Sequence, residues 1–193
     1  MFSGMFEGEL MSEVIVMSDS VCSVPRDVAD ELKIKLVPAA NIYYNGTVYI
    51  DGETITPEEA YGLIRKDPDR FMTSALTPEY LLEKYRHIAG GRNEIFFITL
   101  SSALSAFNRV ANLTAERFMK DNPGKKILVM DSKTVSGSEG LIVLAAARAA
   151  AQGKTLDEVA DAAEQARANT GAIMMLDTLR YVYRTGRMSK MAS

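Results

Sequence analysis

Serine and aspartate residues directly follow three apolar runs of the sequence. The runs cover residues 14–17, 95–100 and 127–130, and each is rich in β-branched or aromatic residues. The polar residues after them are Ser18, Asp19 and Ser20 in the first case, Ser101 and Ser102 in the second, and Asp131 and Ser132 in the third. Ligands of open α/β sheets bind at the carboxyl ends of the strands, so hydroxyl and backbone N–H groups gathered there would suit an anion. The same residue types are common helix N-caps, and the pattern alone leaves both interpretations open.

Nucleophilic catalysis by a serine needs a general base within hydrogen-bond reach. The single histidine, His87, falls within a predicted polar helix, where a surface position is expected. The sequence has no Gly-x-Ser-x-Gly motif, and its one cysteine, Cys22, is more typical of a small buried thiol than of a reactive one. Hydroxyls without a base favour anion binding. Catalysis by Ser101 or Ser102 in a small-molecule hydrolase or transferase is the alternative.

One arginine near the end of the sequence follows a glycine that stops a predicted helix. It is Arg187, directly after Gly186. Such an arginine can hold a carboxylate or a phosphate with two parallel hydrogen bonds. It can equally be a solvated cation at the end of a helix.

Strand-like and helix-like segments alternate along the chain. The three apolar runs are continuous, which is typical of strands buried on both faces of a parallel sheet. Helical patterns lie over residues 25–32, from Thr56 and from Thr77 onward, and over residues 105–119, 138–152, 156–169 and 179–184. This order predicts an α/β fold with a mostly parallel open sheet flanked by helices.

Local signals refine this prediction at helix starts and at one turn. Thr56 and Glu59 have the spacing of a capping box, and Ser23 is placed to cap the first helix. Residues 36–44 predict a single strand. Asn45-Gly46 would fold that strand back into an antiparallel hairpin.

The sequence divides into three parts. Residues 1–11 are predicted to be a tail, and residues 12–168 a first α/β lobe. Residues 169–193 are predicted to begin a second, smaller α/β lobe that is incomplete here, with a strand over residues 173–176.

Composition argues against several functions. Lys and Arg number 22 against 25 Asp and Glu, and a net charge of −3 gives no reason to expect nucleic-acid binding. One cysteine rules out an internal disulfide, and one cysteine with one histidine argues against a zinc site. The longest apolar stretch, residues 141–151, contains Arg148 and is too short to span a membrane. We expect a cytoplasmic protein that needs no cofactor and does not insert stably into membranes.

Six motifs, in order, resemble the DegV family of bacterial fatty-acid-binding proteins. They are Ser18-Asp19-Ser20, the hairpin of residues 45–52, Thr73-Ser74, the serine-rich residues 101–105, Asp131-Ser132, and the pair formed by residues 178–181 and 186–189. Each motif is modest, but their order is specific. The resemblance extends over residues 14–190, nearly the whole chain.

The resemblance implies two α/β lobes with a long-chain fatty acid buried between them. It also implies which residues hold the carboxylate of that acid, namely Thr73, Ser74, Ser101, Ser102, Ser105 and Arg187. Ser18, Asp19, Ser20 and Asp131 would lie at the edge of the pocket. A partner, the kinase subunit of a fatty acid kinase, would phosphorylate the bound acid to an acyl phosphate for phospholipid synthesis. The carrier itself would contribute no catalytic residue.

Three departures from the family pattern bear on this expectation. Ala106-Phe107 replaces the Gly-Thr that usually follows the serine-rich motif, and Thr185 precedes Gly186 where the family has a second glycine. Family members also continue further, through a histidine that the family places near the acid headgroup. We therefore expect residues 1–193 alone to bind fatty acid only weakly, with a dissociation constant above the sub-micromolar range, because without the rest of the second lobe much of the acyl chain would stay in water. A regulatory module that binds another protein is a further alternative, which the absence of extractable lipid would favour.

Overall fold

Strands and helices alternate through residues 14–90 and 94–187, the part of the chain that this computed structural model describes. The strands are β1 (Val14–Asp19), β2 (Lys35–Val37), β3 (Ala40–Tyr44), β4 (Thr47–Ile50), β5 (Met72–Ala75), β6 (Glu94–Thr99) and β7 (Lys126–Asp131). The helices are α1 (Arg26–Glu31), α2 (Pro57–Lys66), α3 (Pro78–Ile88), α4 (Phe107–Asp121), α5 (Gly137–Ala151), α6 (Leu156–Ala168) and α7 (Arg180–Arg184). A short 3-10 turn, Ser20–Cys22, follows β1.

The main sheet is parallel and has the strand order β2-β1-β6-β7. Every residue of β1 is buried, because helices cover the sheet on both faces. One face, with Val16 and Phe96, packs against α1, α5 and α6. The opposite face, with Met17 and Phe97, packs against α3 and α4. The predicted α/β fold with a parallel sheet between helices is confirmed.

A second sheet is antiparallel and has the order β4-β3-β5. The predicted hairpin is confirmed: Asn45 and Gly46 both have positive φ angles, 49° and 82°, which a two-residue turn of this kind requires. The single strand predicted over residues 36–44 is wrong, because Pro38 divides it between the two sheets. Proline lacks the N–H that a continuous ladder needs.

Most predicted helix starts agree with the structure, and two differ. Thr56 and Glu59 form the capping box that begins α2. Ser23 does not cap α1; it has a left-handed φ of 56° at the end of the 3-10 turn. Helix α4 begins two residues after the predicted Ser105, because the Ser105 hydroxyl accepts the N–H of Phe107 at 3.2 Å. None of the described helices is both long enough and apolar enough to cross a membrane.

The segment between α6 and α7 has no regular structure, so the strand predicted over residues 173–176 is wrong. A strand needs a neighbour that completes its ladder, and no described strand pairs with this segment. Ile173 and Met175 are almost fully exposed. The predicted tail, residues 1–11, and the final residues 188–193 lie outside the described residues, and the lobe boundary at residue 169 stays a prediction.

Replacement of Phe97 by alanine tests the core under the sheet. Phe97 is fully buried and contacts Tyr85 and Phe107 edge-to-face, with ring centroids 6.1 and 5.9 Å away. We expect Phe97→Ala to lower the free energy of unfolding by about 3–5 kcal/mol, measured by urea denaturation. Leu113→Ala is the control, because Leu113 is exposed on α4 and its loss should cost less than about 0.5 kcal/mol. Equal effects of the two variants would contradict the described core.

Candidate functional site

The carboxyl ends of β1 and β6 form the crevice at which the chain reverses direction across the main sheet. From β1 the chain continues to β2 on one side, and from β6 it continues to β7 on the other. Ligands of doubly wound sheets bind at such a switch point. The residues that follow these two strands are therefore the candidate site residues.

The carboxylate of Asp19 bridges this crevice. Its Oδ2 accepts the backbone N–H of Leu100, just after β6, at 2.8 Å. Its Oδ1 accepts the N–H of Val21, just after β1, at 3.0 Å. The neighbouring Ser18 hydroxyl donates to the carbonyl of Ile98 at 3.0 Å and adds a second tie between the strands. Asp19 and Ser18 are fully buried, so both hold the floor of the crevice.

A cavity of about 650 Å³ lies above this floor, between the two sheets. Val21 and Leu100, the two residues whose N–H groups bind Asp19, belong to its lining. The second sheet contributes Ala40, Ile42, Thr73, Ser74 and Ala75; the loop after β6 contributes Ala103, Leu104, Ser105 and Ala106; and the end of α7 contributes Thr185, Gly186 and Arg187. Ala39, Asp51 and Val135 complete the lining. The wall is apolar over slightly more than half of its surface, and its polar part includes hydroxyl groups, the carboxylate of Asp51 and the guanidinium of Arg187.

Four of the six residues expected to bind a carboxylate line this cavity: Thr73, Ser74, Ser105 and Arg187. Arg187 is exposed at the rim, where its Nε donates to the carbonyl of Leu104 at 3.0 Å. That single bond orients the guanidinium along the loop after β6. A cation and hydroxyl groups are thus gathered around one cavity, which suits an anionic group.

The side chains of Thr73 and Ser74 point to opposite faces of the second sheet, because side chains alternate along a strand. Thr73 is opposite Ile42 and shares the face that lines the cavity. Ser74 is opposite Asn41, and its hydroxyl donates to the Tyr43 hydroxyl at 3.3 Å and to the carbonyl of Ala75 at 3.1 Å. Thr73 is therefore the better-placed hydroxyl of the two.

Ser101 and Ser102 do not line the cavity. Ser101 is buried; its N–H donates to the carbonyl of Thr134, and its hydroxyl accepts the N–H of Ala103. Ser102 is exposed and donates both its N–H and its hydroxyl to the carboxylate of Asp131. Both serines fix the loop that carries Leu104 and Ser105. Neither has a histidine nearby, since His87 lies exposed on α3.

Asp51 is a cavity residue that sequence reasoning missed. Its Oδ2 accepts the hydroxyl proton of Ser20 at 2.5 Å, and Ser20 in turn accepts the N–H of Ala39 at 3.1 Å. Ser20 is thus bonded to a cavity residue but is not itself part of the lining. The Asp51-Gly52 pair at the end of the hairpin was the available signal. The cavity thus has a carboxylate in its wall and an arginine at its rim.

Glu139 is a buried carboxyl that sequence reasoning also missed. It lies in the first turn of α5, is fully buried, and has no hydrogen-bond partner for either oxygen among the described residues. Gly140 makes this position possible, because a Cβ there would lie 2.5 Å from the carbonyl oxygen of Cys22. The close approach brings α5 against the 3-10 turn and Glu139 near Asp19.

Only one of the two neighbouring carboxyl groups, Asp19 and Glu139, is ionised. Burial, and secondly the charge of Asp19, raise the pKa of Glu139 far above its usual range. Burial also raises the pKa of Asp19, but the two N–H donors from Leu100 and Val21 oppose that shift. The donors favour the ionised form of Asp19, so the proton stays on Glu139. Because burial likewise raises the pKa of the Cys22 thiol, to about 11, this thiol is neutral near pH 7.

The fold and the cavity define an α/β protein with a partly apolar cavity at the switch point of its main sheet. The family model of DegV, a family described as uncharacterised, matches residues 13–193. The chain therefore belongs to the DegV family.

Individual relatives agree with this assignment. A DegV domain-containing protein of Clostridium acetobutylicum is 28% identical over 94% of this chain and 63% of its own length. A DegV family protein from Thermus thermophilus, whose solved structure is described as fatty acid binding, has a TM-score of 0.74 at 26% identity, over 90% of this chain and 60% of that one. The linoleic acid-loaded fatty acid kinase B3 protein of Streptococcus pneumoniae has the same fold, with a TM-score of 0.74 at 20% identity, over 93% of this chain and 63% of that one. The chain thus spans about 60% of the length of these relatives.

Replacement of Glu139 by glutamine tests the protonated carboxyl. Glu139 has a higher pKa in the folded protein than the 4.5 of an exposed glutamate, so only the unfolded chain loses this proton as the pH rises through 4.5. The contribution of Glu139 to stability is thus complete at low pH and falls as the pH rises. We expect Glu139→Gln to be more stable than the parent at pH 8 by roughly 1–3 kcal/mol, with the difference vanishing near pH 4.

Glu158→Gln is the matched control for this measurement by urea denaturation at several pH values. Glu158 completes the capping box of α6, and its bonds to the N–H and hydroxyl of Thr155 lower its pKa. The contribution of Glu158 to the free energy of unfolding is present at neutral pH and is lost as the pH falls. The Glu158→Gln variant should therefore be less stable than the parent at pH 8. A Glu139→Gln variant that loses stability at every pH would contradict a neutral Glu139.

Proposed function

We propose that this protein binds a long-chain fatty acid in the cavity between its two sheets. The observation that carries the proposal is the lining, which combines apolar side chains with the hydroxyl groups of Thr73 and Ser105 and the guanidinium of Arg187. The Thermus relative described as fatty acid binding supports this ligand class. Enclosing an acyl chain of about 16 carbons at about 0.8 kcal/mol per methylene offers on the order of 10 kcal/mol before entropic losses.

The carboxylate of the acid binds at the rim, to Arg187, Thr73 and Ser105. This orientation follows from the charges of the cavity, because a carboxylate is attracted to Arg187 and repelled by Asp51. Ser74 contributes from its backbone, while Ser101 and Ser102 act indirectly by holding the loop of Leu104 and Ser105. Ser18, Asp19, Ser20 and Asp131 brace the edge and floor of the pocket.

A partner kinase subunit phosphorylates the bound acid to an acyl phosphate, and this chain acts as the carrier. Arg187 is exposed, so a carboxylate bound to it is within reach of a second protein. The fatty acid kinase B3 protein of Streptococcus pneumoniae supports a kinase partner. Hydroxyls without a neighbouring base bind an anion rather than attack a substrate, so the chemistry belongs to the partner. Such a carrier for phospholipid synthesis works in the cytoplasm, where a lone buried thiol stays reduced.

Residues 169–193 begin a second lobe that covers the exposed apolar segment between α6 and α7. The apolar residues Ile173, Met174, Met175 and Leu176 are all exposed and suit a position beneath such a cover. The relatives, which are longer than this chain, support this division.

Native mass spectrometry of the protein with added oleate tests the proposed ligand. We expect one adduct of fatty-acid mass that disappears on denaturation. Arg187→Gln should raise the dissociation constant for oleate at least about tenfold, because a hydrogen-bonded charge pair contributes about 1.5–3 kcal/mol. Arg109→Gln, on the exposed side of α4, is the control and should change affinity less than about twofold. An unchanged affinity in Arg187→Gln would overturn the proposed carboxylate site.

A fluorophosphonate probe separates this function from serine-dependent hydrolysis. We expect Ser101 and Ser102 to remain unmodified, since the carboxylate of Asp131 is the only charged partner of Ser102 among the described residues and Ser101 is buried. Peptide mass mapping after incubation with the probe gives the result. Stoichiometric labelling of either serine would favour the hydrolase or transferase alternative.

A further inference from the structure

Helix α7 is attached to the rest of the described chain by few contacts. It has five residues, none of them buried, and residues 171–178 before it are all exposed. The Ser138 hydroxyl donates to the carbonyl of Gly171 at 3.0 Å, and Arg187 donates to Leu104 at 3.0 Å. The remaining polar contacts of this segment converge on the loop between α2 and β5.

Asp69 is the centre of that convergence. One of its carboxylate oxygens accepts Nη2 of Arg180 at 2.7 Å, and the other accepts Nη1 of Arg184 at 2.6 Å. Arg184 also donates Nη2 to the carbonyls of Pro68 and Phe71, at 2.8 and 3.2 Å. Two arginines of one short helix thus bind the same carboxylate of this loop.

We propose that Asp69 is a positioning residue that fastens α7 to the loop between α2 and β5 and thereby holds Arg187 at the rim of the cavity. The inference rests on the proposed function, because it assigns Arg187 to the carboxylate of the ligand. Asp69 itself does not line the cavity and touches no part of the proposed ligand.

Backbone hydrogen bonds attach Arg187 to the end of α7. The N–H of Arg187 donates to the carbonyl of Val182 at 3.1 Å, and that of Gly186 donates to Tyr183 at 3.0 Å. The Thr185 hydroxyl closes the end of the helix on the carbonyl of Tyr181 at 2.8 Å. Arg187 is therefore part of the terminal turn of α7 and moves with it.

An apolar pocket of about 330 Å³ lies between α7 and the loop that carries Asp69. Ile64 and Phe71 line it from below, and Tyr181 and Arg184 from above. Thr73 and Thr185 line both this cavity and the larger one. Release of α7 would open the rim at Thr73 as well as displace Arg187.

A lone surface ion pair would be too weak to hold a helix, since such pairs contribute little in water. The Asp69 contact differs because one carboxylate receives two planar guanidinium groups and one of these also binds two carbonyls. The side chain of Arg184 is only 32% exposed, which reduces the competition from water.

The test compares the affinity of the full chain for oleate and for oleyl alcohol, measured by titration calorimetry. Asp69→Asn keeps the shape of the side chain and removes its charge. We expect it to raise the dissociation constant for oleate about five- to tenfold and that for the alcohol less than about twofold, since only the acid needs Arg187. In an Arg187→Gln background the same substitution should have no further effect on oleate.

Asp67→Asn is the matched control. Asp67 lies two residues away, pairs with Arg70 at 3.2 Å and makes no contact with α7. Its Oδ1 also accepts the N–H of Asp69 at 3.2 Å, and asparagine keeps an oxygen acceptor for that bond. The substitution removes the same charge from the same loop and should leave both affinities unchanged. Equal weakening of acid and alcohol by Asp69→Asn, or an undiminished effect in the Arg187→Gln background, would overturn the proposal.

Hydrogen exchange of the ligand-free protein separates failure of the positioning role of Asp69 from failure of the proposed function. Residues 180–187 should exchange at least about tenfold faster in Asp69→Asn than in the parent or in Asp67→Asn. If the parent binds neither oleate nor the alcohol, the proposed function fails, and faster exchange still supports the fastening of α7 by Asp69. Equal exchange in the three proteins would overturn it.

Discussion

The carboxylate of Asp19 is the constraint on which the site depends. It accepts one backbone N–H from the end of β6 and one from the turn after β1, at 2.8 and 3.0 Å, across the crevice where the chain changes direction. Without it, two buried N–H groups would lose their acceptor, and each such loss costs about 1–3 kcal/mol. The loop after β6 and the turn after β1 both begin at these bonds. The floor and one wall of the cavity therefore take their positions from a single side chain.

The burial of Asp19 also depends on a residue far along the chain, Glu139 of α5. Helix α5 packs against the turn after β1 closely enough that only glycine fits at residue 140, and Glu139 is buried beside Asp19 as a result. Two buried carboxylates side by side would repel each other strongly, so one of them has to keep its proton. The N–H donors select Asp19 as the charged partner. Glu139 thus provides bulk and shape under the site, and it does so only as a neutral acid.

The sequence predicted the parts of this protein that local patterns encode. Continuous apolar runs, each ended by serine or aspartate, were enough to predict β1, β6 and β7 and the edge of the sheet where the site lies. Strand β5 was missed, because residues 72–75 become a strand only by pairing with β3. Glu139, Asp51 and Asp69 were missed for a related reason. Asp69 is 111 and 115 residues from its two arginine partners, and no local pattern distinguishes it from Asp67.

The two sides of the cavity are held by different kinds of interaction, and the difference fits the carrier function proposed above. The floor rests on buried hydrogen bonds between neighbouring strands, in surroundings that exclude water. The rim at Arg187 rests on the carboxylate of Asp69 and its two arginine partners, whose side chains stay partly exposed to water. The carrier function proposed above requires a fixed interior together with a rim that a second protein can reach. The proposed carboxylate site at Arg187 lies on the side of the cavity that depends on these partly exposed contacts.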